Sequence, residues 1–187
     1  MIRERVPGAW IRYVTGNHEH RLHRYLIDKA PELLELITGA DSSPLEKVLD
    51  LGSVGAELIP CHSDRFTDTF VDLGELLVDH FAMVRAHSGY TAKNLLDKSG
   101  VSILQAHVHS AGSSNKLLHS GQVMAWEGGC LCSLKPSYCT PTKWVHAFHM
   151  IHRRRAGEFF HVEPVIVLDG RAFYGGRLWQ SPGEVTL

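Results

Sequence analysis

The stretch that most constrains this chain is Trp10-Ile11-Arg12-Tyr13-Val14-Thr15-Gly16-Asn17-His18-Glu19. A β-prone run ends in a glycine turn, and an Asn, a His and a Glu lead from that turn into a helical pattern. In an α/β protein the C-terminal end of a strand opens into a crevice where polar side chains converge on a ligand. Asn17 offers a neutral oxygen to a cation, His18 can carry a proton near neutral pH, and Glu19 places negative charge at a helix start, where it is favoured. Ordinary turn chemistry accounts for Gly16 and Asn17 equally well, with His18 solvated.

Val101-Ser102-Ile103-Leu104-Gln105-Ala106-His107-Val108-His109-Ser110-Ala111-Gly112 repeats the arrangement: an apolar strand, two histidines one residue apart, then small residues. On an extended chain that spacing puts both rings on one face with origins roughly 6–7 Å apart, which suits ligands of neighbouring metals. Between the two stretches, Phe81 to Gly89 runs from apolar residues into His87, Ser88 and Gly89. His80 lies in the same region, one register choice away from taking the place of His87, but lacks the following Ser-Gly.

Together these residues resemble the calcineurin-like metallophosphoesterase family. Its motifs run Asp-x-His, Gly-Asp-x-x-Asp, Gly-Asn-His-Asp/Glu, a lone His, then Gly-His-x-His. Gly16 to Glu19 matches the third, His87-Ser88-Gly89 looks like the fourth, and Ala106 to His109 matches the fifth with Ala for Gly. The first two motifs are absent, because fifteen residues precede Gly16 and none is Asp or His.

The resemblance implies an α/β fold: a partial metallophosphoesterase-type sandwich of mixed β-sheets flanked by helices, lacking the first βαβ portion, as a single N-terminally incomplete domain over residues 1–187. It implies divalent metal ions (Mn, Fe, Zn or Ni), two in the intact family site. Asn17, His87 and His107 fall to one ion and His109 to the other, with His18 as the catalytic acid. The implied activity is hydrolysis of a phosphomonoester or phosphodiester, nucleic acid included, by metal-activated water. A metal pair activates water and neutralises phosphoryl oxygens, and an imidazole can protonate the leaving alkoxide. In the family the two absent motifs supply most ligands of one metal and the aspartate that bridges both; without that carboxylate two cations would repel, so a silent fragment holding at most one metal is the alternative.

With 187 residues and 44% hydrophobic content the chain can bury a core, and its formal charge of −1 gives no bulk attraction to nucleic acid or anionic membrane. Thirteen histidines mildly favour a metalloprotein. No apolar run approaches the ~20 residues of a membrane span, and Met1 to Arg5 lacks a signal-peptide core, so a soluble, cytoplasmic protein is expected. Cys61, Cys130, Cys132 and Cys139 do not demand a disulfide framework and read as reduced.

Hydrophobic periodicity and breakers predict a strand over 10–15, a helix from Glu19 to about Lys29, a second from Pro31 to Ile37, and a third capped by Ser42 or Ser43 and ended by Gly52. An extended piece at 56–60 follows. A hairpin pairs 66–71 with 76–84, and a helix over 90–99 is closed by Gly100. The strand at 101–106 then completes a parallel crossover, bringing His87 to His107 and His109. A hairpin turning at Ser120-Gly121, a strand over 127–133, an irregular 134–157 and a hairpin at Asp169-Gly170 finish the chain.

Several residues admit other readings. His20 and His23 flank the site or are solvated. His18-Glu19-His20 fails the His-Glu-x-x-His zinc pattern, since Leu22 stands where the second His belongs. Cys130, Cys132 and Cys139, with His146 or His149, would suit a structural zinc, and a small-residue core strand gives the same spacing. Arg153 to Arg155 near Trp144 and Phe148 would suit a phosphate backbone with stacking, the features of a zinc-stabilised nucleic-acid-binding module. A bare sheet edge predicts self-association into a homo-oligomer.

Overall fold

The computed structural model describes residues 2–33, 43–61, 69–80, 83–138, 140, 143–155 and 159–181. The chain is mixed α/β, with several sheets and few helices, and its packing divides it into two compact units, Met1–Val71 and Asp72–Leu187. Among the described residues no helix is long and apolar enough to cross a membrane.

After a short helix α1 (Ile2–Arg5), the first unit is built on β1 (Ile11–Val14), which pairs in parallel with β2 (Ala56–Ile59). Parallel pairing demands a long connection, and helices supply it. α2 (Asn17–Lys29) opens directly from β1, and residues 31–33 are helical. The remainder of the second predicted helix lies outside the described residues. α3 (Pro44–Val48) is capped by Ser43, whose Oγ accepts the Leu45 N–H, while Glu46 reaches back to the Ser43 N–H. This helix ends before Gly52, contrary to the sequence reading. Asp50 takes a left-handed conformation at φ 50°, and the chain tightens into a 3₁₀ turn over Leu51–Val54.

The second unit centres on a five-stranded sheet in the order β3-β4-β5-β7-β6. β3 (Phe70–Asp72), where the division between units falls, is the edge strand beside β4 (Leu76–Asp79). β4, β5 (Ser102–Gln105) and β7 (Gly121–Gly128) run parallel, and β6 (Ala111–Leu118) lies antiparallel to β7. α4 (Tyr90–Ser99) makes the crossover from β4 to β5 with the bounds its periodicity predicts.

Strand alternation sorts the sheet's apolar residues into two layers. Leu77, Ile103 and Ala125 face Ala92, Leu95 and Leu96 of α4. Leu76, Leu104 and Trp126 face Val162, Ile151 and Phe160 of a ribbon formed by β8 (His146–Arg153) and β9 (Phe160–Val167). Each buried leucine contributes about 1.5–3 kcal/mol. β10 (Arg171–Tyr174) and β11 (Arg177–Gln180) form a terminal hairpin.

Three expectations are corrected here. β4 stops at Asp79, and residues 83–84 are not strand; Phe81 and Ala82 lie outside the described residues. No separate strand runs over 127–133: Glu127 and Gly128 end β7, Gly129 at φ 67° turns the chain out of it, and Cys130 makes a single parallel bridge to His146. The supposedly irregular 134–157 contains the eight residues of β8. At the C-terminus Asp169-Gly170 turns the chain as expected, Leu168 and Arg171 exchanging backbone hydrogen bonds at 2.9 Å, and β10 then takes its own ladder from β11 across a second two-residue turn at Gly175-Gly176, both at positive φ.

Candidate metal centre

Because β4, β5 and β7 are parallel, the residues that follow them gather at one rim of the sheet. His80 directly follows β4, His107 and His109 follow β5, and Cys130 and Cys132 follow β7. His107 Nδ1 lies 3.1 Å from His80 Nε2, with the rings edge to face at 4.9 Å. His109, Cys130 and Cys132 form a second group, each offering a ligand atom within 4.8 Å of the others. These three side chains can hold a metal ion.

The turn after β5 is not extended. His107 has φ 71° and His109 φ 59°, both left-handed, with Val108 buried between them. Non-glycine residues enter that region at a cost and cluster in sites that need a particular aim. The extended-chain argument for placing both rings on one face therefore does not apply. His107 meets His80, whereas His109 meets the two cysteines and the Trp144 ring, whose centroid is 4.2 Å away.

The loops are clamped from behind. The Val145 N–H donates to the His109 carbonyl at 3.0 Å, the Cys130 N–H donates to the Val145 carbonyl at 3.0 Å, and the Ala147 N–H donates to the Cys130 carbonyl at 3.2 Å. A His146 ring nitrogen lies 2.8 Å from the Cys132 carbonyl oxygen. Gly129 is required, because a Cβ there would sit 2.5 Å from the Ala147 Cβ. Burial, and then the neighbouring Cys132 thiol, push the Cys130 thiol up to about 11.

The sequence reading gave no role to Glu127. Its carboxylate is completely buried and accepts hydrogen bonds from the N–H groups of Gly89, Thr91 and Ala92 and from the Ser110 hydroxyl, at 2.7–3.2 Å. It caps α4, where negative charge offsets the exposed helix dipole, and ties that turn to the residue after His109. An acid among small residues beside Gly128-Gly129 was the available signal.

His87 is exposed near the start of α4, in edge-to-face contact with Tyr90 at 5.1 Å. In the first unit Asn17 is the half-buried opening residue of α2, and His18 beside it is exposed. Glu19 holds the turn. One oxygen accepts the Gly16 N–H at 3.0 Å and the other the Tyr13 hydroxyl at 2.7 Å. Burial, followed by that carboxylate, raises the Tyr13 phenol above its ordinary range. His20 and His23 line a cavity of about 290 Å³ with Thr15, Glu19 and Cys61.

No family model matches this chain, and no curated protein matches it. The site therefore carries the functional argument by itself.

The remaining sequence candidates lie elsewhere. Cys139 is outside the described residues. His149 is half-buried on β8, and desolvation lowers its pKa. Arg153 donates to the Leu73 carbonyl at 2.6 Å, and His152 pairs with Glu163 at 3.1 Å, so part of the basic segment is engaged within the fold. A cavity of about 690 Å³ opens where β5 and β7 begin, lined by Trp126, Phe160 and His161, at the end of the strands opposite the histidine rim.

Proposed function

We propose that this chain is a metal-dependent phosphoesterase of calcineurin-like type, acting on a phosphomonoester or phosphodiester. The observation that carries this reading is the His80–His107 pair at the rim of two parallel strands, with His109 two residues beyond. Imidazoles converging at such a crevice are a common ligand arrangement for catalytic divalent cations. The sheet also carries α4 on one face and a β-ribbon on the other, a layering that supports the sandwich reading.

When bound, a divalent metal supplies Lewis acidity toward the phosphoryl oxygens and an activated water. The chain's own residues do the rest. His107 and His109 would be the ligands, with His80 the imidazole placed beside His107; Asn17 and His87 are ligands only by the resemblance. The resemblance gives His18, exposed at the start of α2, the role of proton donor to the leaving alkoxide. Glu127 keeps the turn preceding α4 and the residue after His109 at fixed separation.

Hydrolysis of an aryl phosphate and an aryl phosphodiester with added manganese or zinc tests the reading. His107→Ala should lower kcat/KM by more than about a hundredfold, and His18→Ala by about 10²–10⁴ with a selective loss for poor leaving groups. Equal rates in wild type and His107→Ala would overturn it.

A further inference from the structure

We propose that His109, Cys130 and Cys132 bind one zinc ion, leaving a fourth coordination position on the solvent side beside the exposed Cys132. Three ligand atoms no more than 4.8 Å apart share a point within about 2.8 Å of each, close to zinc–ligand lengths of about 2.0–2.3 Å. Sub-ångström side-chain motion therefore closes the site. Two thiolates and a neutral imidazole select a borderline-soft ion such as zinc over magnesium, calcium or manganese, and their two negative charges balance the dication.

The ligands are held before any metal arrives. β8 carries the framework: Val145 bonds to both the His109 and the Cys130 backbone, Ala147 bonds to Cys130, and the His146 ring meets the Cys132 carbonyl. Trp144 fixes the His109 ring edge to face. The site thus joins three segments distant in sequence, a form of support that metal ligands ordinarily need.

This proposal rests on the phosphoesterase reading for its role, though not for its chemistry. The resemblance assigns His109 to one metal and names no further ligand for it among these residues. Cys130 and Cys132 stand beside that same histidine. Two thiolates and an imidazole give three protein ligands with one open position, the ligand count of a catalytic zinc.

Cobalt(II) titration of the reduced full chain tests it, since thiolate ligation gives an intense near-ultraviolet charge-transfer band that oxygen and nitrogen ligands do not. One equivalent should produce the band, and zinc should displace it. Cys130→Ser, Cys132→Ser and His109→Ala should each weaken cobalt binding at least about tenfold. Cys132 is exposed, so its serine variant retains the fold, which circular dichroism verifies. His107→Ala should keep the band while losing hydrolysis. Absence of the band in reduced wild type, or its survival in the Cys130→Ser/Cys132→Ser protein, overturns the zinc site. A wild-type band without hydrolysis retains the site and removes the phosphoesterase reading. Undiminished hydrolysis and metal content in the double serine variant do the reverse.

Discussion

Glu127 shows how one buried charge can organise two loops. Oε1 takes the Thr91 and Ala92 N–H groups, and Oε2 takes the Gly89 N–H and the Ser110 hydroxyl. Glu127→Gln keeps the shape but turns an amide NH₂ toward backbone donors. Unfolding in urea should show a loss of about 2–3 kcal/mol, the scale of charge-assisted hydrogen bonds replaced by a donor–donor contact. Wild-type stability in this variant would mean that the carboxylate is not what secures the two turns. At this scale the sequence was partly legible. That His107 and His109 follow a buried apolar strand was legible in the sequence. Glu127 was not, because burial is a property of the fold, and the grouping of Cys130 with His109 depends on β8, which the sequence pattern did not reveal.

Among the elements, α4 and its flanking strands were the most legible. Leu95 and Leu96 with Ala92 mark one helical face, and Gly100 at φ 66° supplies the left-handed cap that ends it. β8 was hidden because Phe148 and Met150 alternate with Ala147 and His149 without a clean polar face, and prolines nearby suggested a loop. A less visible constraint joins α4 to β6. A Cβ on Gly112 would lie 2.5 Å from the Gly89 nitrogen, and the obstruction is backbone, which cannot rotate away. Gly112→Ala should therefore cost about 1–3 kcal/mol or more by forcing β6 from the helix start. Thermal unfolding should show Tm lowered by several degrees, and an unchanged Tm would show that the turn can yield at no cost.

At the scale of the whole molecule, the division into Met1–Val71 and Asp72–Leu187 was not legible, since no stretch has the composition of a linker. Composition does foretell how the chain responds to acid. With 19 basic and 20 acidic residues the charge is near balance at neutral pH, yet 13 histidines can each add a positive charge as pH falls. The compact state then repels itself. His149 adds a term of known sign. Desolvation depresses its folded pKa below the ordinary 6.5, so the unfolded chain takes up this proton first. Its effect is absent above pH 6.5, and stability drains away as pH falls from there through the lower folded value. Urea midpoints measured between neutral pH and pH ~5 should decline, and His149→Gln should flatten that decline by less than about 1.4 kcal/mol per pH unit, the limit for one proton, since the ring is only half-buried. A variant whose midpoint falls as steeply as wild type would place the acid sensitivity in the other histidines.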